Sequence, residues 1–79
     1  MKVTEYLFNE YKDMTTKYVS ASQRLRELLP RFTAMNQSGE NPSETSTKNL
    51  IQDLDKIEED LEDAAYKIRC IKHTLVGLL

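Results

Sequence analysis

The chain has 79 residues, 30% charged and 39% hydrophobic, with one Cys, two Gly, two Pro and a net charge of −2. A chain this short buries only ~60% of the surface it exposes when unfolded, so a second chain would help it hold a fold. One cysteine excludes an intramolecular disulfide framework, the net charge argues against a general nucleic-acid binder, and no stretch approaches the ~20 apolar residues of a membrane span.

In the first half, Leu7, Tyr11, Met14, Tyr18, Ala21, Leu25, Leu28, Phe32 and Met35 recur at alternating steps of four and three. That 3.5-residue average predicts a long amphipathic helix of coiled-coil type over about 4–37. Pro30 interrupts the chemistry but not the spacing, and it falls on the face away from the stripe. The expectation is a kink there, with a break into a third helix as the alternative.

The segment 38–41 is polar and predicts a turn. Gly39 suits the left-handed residue that ends a helix. Asn41-Pro42-Ser43-Glu44 reads as a helix start with Asn41 as N-cap, and Ser46 or Thr47 as rival caps.

The second half repeats the pattern. Leu50, Leu54, Ile57, Leu61, Ala64, Ile68, Ile71, Leu75 and Leu78 predict a second helix over about 42–77. A short connection between two long helices makes them antiparallel. The expected fold is therefore all-α: one helical-hairpin domain over 1–79, able to dimerise into a four-helix bundle.

With Tyr11, Tyr18, Leu25 and Phe32 at heptad position a, and Leu50, Ile57, Ala64 and Ile71 at d, the expected seam pairs are Tyr11–Ile71, Tyr18–Ala64, Leu25–Ile57 and Phe32–Leu50. Ala21 then faces Leu61 and Leu28 faces Leu54. Arg24–Asp60 and Arg31–Asp53 attract across the flank, while Lys17–Lys67 conflicts. A register one heptad away, which brings Phe8 near Leu79, is the alternative.

Apolar residues remain outside this seam. Phe8, Leu29, Ile51, Ala65 and Leu79 occupy position e and widen the stripe beyond what a two-stranded coil needs. Charge is divided unevenly, with seven of the eleven residues from Asp53 to Asp63 acidic. Either this is a solvated face or it steers a basic partner.

No catalytic constellation stands out. Cys70 and His73 lack the further ligands zinc requires, Asp53–Glu58 lacks the glycine and spacing of a calcium loop, and two glycines build no phosphate cradle. No enzyme activity, cofactor or metal is expected. The expected partner is another protein engaged through helix–helix packing, with no nucleic acid or membrane involved, and a homodimer is possible. With no secretory leader in Met1–Tyr11, the expected location is cytoplasmic. Candidate partner-binding residues are Tyr6, Phe8, Leu29, Ile51, Tyr66, Val76 and Leu79, with Asp53, Asp55, Glu59, Glu62 and Asp63 steering the encounter.

In size and format the chain is similar to two small hairpin families. Asn49-Leu50-Ile51-Gln52-Asp53 does not match the Ser-Gln-Glu-Leu-Asp motif of small aspartyl-phosphate phosphatases, and the absence of Trp removes the Trp-x-Gly turn of secreted helical hairpins. In length, acidity and lack of a site it resembles small phage-encoded host-takeover inhibitors, some of which block bacterial cell division. That resemblance, of format alone, implies a module that docks on a helical or coiled-coil partner and inhibits or adapts a larger machine. The alternative is a structural homodimer or scaffold subunit.

Overall fold

The computed structural model describes residues 2–79. It contains two helices, α1 (Val3–Ser38) and α2 (Glu44–Gly77), packed against each other as a hairpin. A helix rises 1.5 Å per residue, so α1 alone accounts for the 55 Å long axis of a molecule only 19 × 17 Å across. The radius of gyration is 17.6 Å, against about 12 Å for a compact domain of this length. No helix among the described residues is long and apolar enough to cross a membrane.

α1 runs unbroken through Pro30, so the three-helix alternative is not adopted. The ring lies on the exposed face, as its spacing predicts. Thr33 Oγ1 donates to the Leu29 carbonyl at 2.8 Å, supplying side-chain bonding in the turn beside the missing N–H.

Gly39 ends α1 in the left-handed region (φ 68, ψ 7), and its N–H reaches the Met35 carbonyl at 3.0 Å. The start of α2 differs from the expectation. Ser43, not Asn41, is the N-cap, and its hydroxyl accepts from the Ser46 N–H at 3.1 Å. Pro42 thus precedes the cap. Ser43 offers the same short oxygen acceptor two residues later, and its carbonyl also takes the Thr47 N–H (2.8 Å) and hydroxyl (2.9 Å).

The larger correction concerns the seam. The apolar core is Ala21, Leu28, Leu50 and Ile57, with Met35 packed against it and Ala64 also buried. These are all d positions. The other line of contact is the row before it, heptad position g: Glu10, Lys17, Arg24 and Arg31 on α1, and Asp53, Asp60 and Lys67 on α2, each buried or half-buried. The a positions assigned to the seam lie open instead. Tyr11, Tyr18, Leu25 and Phe32 are 57%, 60%, 48% and 44% exposed, and Leu54, Leu61, Ile68 and Leu75 are 40–47% exposed. Each helix is rotated so that d and g, rather than a and d, meet the other.

Ion pairs explain the rotation. Lys67 bonds Glu10 at 2.9 Å and lies 3.8 Å from Asp13. Lys17 sits between Asp60 and Asp63, at 3.9 and 3.6 Å, and Arg31 meets Asp53 at 3.1 Å. The Arg31–Asp53 pair is the one the sequence suggests. No Arg24–Asp60 bridge forms among the described residues, and the Lys17–Lys67 conflict is relieved because each lysine has its own carboxylates. A one-heptad shift would carry Glu10 out of reach of Lys67.

Candidate functional site

The two flanks of the hairpin have opposite character. On one side the c and f positions of both helices come together. Asp13, Thr16 and Lys17 line a shallow groove with Asp63, Tyr66 and Lys67, and Tyr6 lines another with Arg69, Cys70, His73 and Thr74. In an antiparallel pair, equivalent heptad positions share a side, so the a and e positions of both helices lie together on the opposite flank. That flank holds Phe8, Tyr11, Tyr18, Leu25, Leu29 and Phe32 from α1, and Ile51, Leu54, Leu61, Ile68, Leu75 and Leu79 from α2, all exposed. It is a continuous apolar face along the length of the hairpin, and it is the candidate site.

The expected partner-binding residues therefore divide. Phe8, Leu29, Ile51 and Leu79 lie on the apolar face, with Val76 exposed at its edge. Tyr6 and Tyr66 belong to the polar flank, and Tyr6 is half-buried rather than facing outward. Contact with Cys70, first, and partial burial raise the Tyr66 hydroxyl above its ordinary pKa of 10.0. Cys70 is half-buried and His73 exposed. Among the described residues no three His, Cys, Asp or Glu side chains are placed to hold a metal.

The acidic stretch also divides. Asp53 and Asp63 are half-buried in the ion pairs above, and Glu59 lies 3.8 Å from Lys56. Asp55 and Glu62 remain exposed, together with Glu58, and none of the three is ion-paired among the described residues.

Asp60, which the periodicity passes over, is the most buried large side chain, at 1% exposure. Its carboxylate accepts from Ser20 Oγ at 3.1 Å and lies 3.4 Å from Lys56 Nζ. Burial pushes its pKa up, but the Ser20 and Lys56 hydrogen bonds and the charges of Lys56 and Lys17 outweigh that and hold it below the usual 3.8. The alternating Lys17 and Asp60 across the seam were the available signal.

What the reading of spacing missed at the site is the a row itself. Tyr11, Tyr18, Leu25 and Phe32 were assigned to the hairpin's own core. The signal was the charge at g and the apolar character at e: the hairpin closes on its charged side.

No family model, curated protein or solved structure matches this chain.

Proposed function

We propose that this chain is a non-enzymatic protein-binding module that works by helix packing. Its apolar face receives one or two helices of a protein partner and completes a three- or four-helix bundle with them. The observation that carries this reading is the exposure of both a rows on one side of the hairpin. Isolated exposed leucines are ordinary, but a contiguous apolar face along a 55 Å molecule marks an interaction surface.

Phe8, Leu29, Ile51, Val76 and Leu79 contribute to docking together with the a rows. Asp55, Glu58 and Glu62, along the edge, steer the encounter. The resemblance to phage host-takeover inhibitors supports a consequence: occupying helices that a larger cytoplasmic machine needs, such as one acting in cell division. The test is photocrosslinking in cells that make the protein, with the reactive group at Leu61 or at Tyr66. Adducts are expected from Leu61 and not Tyr66, and a Leu25→Asp, Leu61→Asp variant should lose the partner. Retention of the partner by that variant sinks the reading. A structural homodimer is the second reading, favoured by the area and charge of this same face.

A further inference from the structure

Resting on the reading that this face packs on protein helices, we infer that its occupant is a second copy of the chain, placed so that α1 of each protomer lies along α2 of the other. Area is the first argument. The hairpin exposes 6340 Å², whereas a compact monomer of its 9.2 kDa exposes about 4,900 Å². The excess, roughly 1,400 Å² per chain or 2,800 Å² per dimer, falls in the range of obligate homodimers. Five buried apolar residues are a small core for 78 described residues, so covering the face is part of folding rather than an optional later step.

Packing geometry is the second. In a four-helix bundle each helix touches two neighbours, and its a and d positions point at the central axis. Here g and d already face the hairpin's own neighbour. The unmet positions are a and e, which are those a second pair of helices would meet. The heptad pattern is then complete: d and a form the bundle core, g the contact within a chain and e the contact between chains.

Charge decides the pairing. On the edge of the face α1 carries Lys12 and Arg26, and the middle of α2 carries Asp55, Glu58 and Glu62, none ion-paired among the described residues. A two-fold axis parallel to the helices sets each α1 antiparallel to the partner's α2 at the same level as its own. The Arg31–Asp53 and Lys17–Asp60 pairs bracket that level and put Arg26 beside Asp55, and Leu29 beside Ile51, across the interface. A two-fold axis perpendicular to the helices would instead stack α1 on α1 and α2 on α2, setting Asp55, Glu58 and Glu62 against their own copies. The dimer therefore has both turns at one end.

Light scattering on the full chain should give twice 9.2 kDa at micromolar concentration. Arg26→Glu should weaken the dimer about tenfold, since two symmetry-related pairs turn repulsive, and adding Asp55→Arg should restore it. In a Cys70→Ser background, a Leu29→Cys chain mixed with an Ile51→Cys chain should form a disulfide-linked heterodimer, while neither chain crosslinks alone. A helical monomer at all concentrations overturns the inference and leaves the face open for a different protein. Crosslinking of Leu29→Cys to itself, or no rescue by Asp55→Arg, overturns the α1-on-α2 arrangement. A dimer unchanged by Leu25→Asp, Leu61→Asp overturns the reading of the face itself.

Discussion

Ser20 donates to Asp60 Oδ2 at 3.1 Å, joining the middle of one helix to the middle of the other across forty positions of sequence. Beside Ser20, Ala21 is completely buried, and the Asp60 carboxylate is nearly so. The hairpin is thus fastened at its centre by a polar contact, flanked on one side by an apolar cluster and on the other by lysines. Such a contact fixes register more than it adds stability, because a carboxylate placed this way is satisfied in only one alignment of the helices.

Acid should loosen the hairpin through Asp60. Its folded pKa lies below 3.8, so the stabilisation is fully present above that unfolded value and is lost as pH falls through the lower folded one. Circular-dichroism melts of wild type and Asp60→Asn should converge below about pH 4 and differ at pH 7, with Asp60→Asn the less stable. A constant difference across that window would show that the carboxylate's charge is not what matters.

The opposite end of the pH scale reports on Lys67. Its hydrogen bond to Glu10, first, and the nearby charges of Glu10 and Asp13 raise its pKa above 10.5 against the opposing effect of burial. A raised folded value means that the contribution is complete below 10.5 and disappears as pH climbs through the shifted value. Lys67→Gln should speed amide exchange in the turns around Glu10 and Lys67 at neutral pH. That excess over wild type should vanish in strong alkali.

Capping gives a clean local comparison. Ser43→Ala should cost about 1 kcal/mol by removing the acceptor for the Ser46 N–H. Asn41→Ala should be close to neutral, since Asn41 lies outside the cap. Denaturant midpoints of the two variants decide between the caps, and a larger loss at Asn41 would return the helix start to 42.

Pro30 is tolerated rather than required by α1. Pro30→Ala restores a helical N–H at an exposed position and should stabilise by up to about 3 kcal/mol. Thermal melting at fixed protein concentration checks this. A destabilised variant would mean that the proline shapes α1 for packing.

Much of the architecture was legible in the residues. The steps of four and three from Leu7 to Met35 and from Leu50 to Leu78 predicted both helices, and Gly39 marked the end of the first because a left-handed residue favours glycine. Arg31 and Asp53 were paired correctly, since charge complementarity acts at fixed spacing. Tyr11 and Leu61 were misassigned because a stripe of a, d and e residues is wide enough for a helix to turn either edge to its neighbour. Periodicity gives the width of a stripe but not which edge closes first.

The sequence by itself determined two antiparallel helices with a greasy stripe, because backbone hydrogen bonding and side-chain spacing are local and repeat every few residues. Only the tertiary structure decided that Glu10, Lys17 and Arg31 meet Lys67, Asp60 and Asp53, leaving the tyrosines outside. The rotation of each helix depends on the sum of many weak charge and packing contacts between distant residues, and no single segment of the chain encodes that sum.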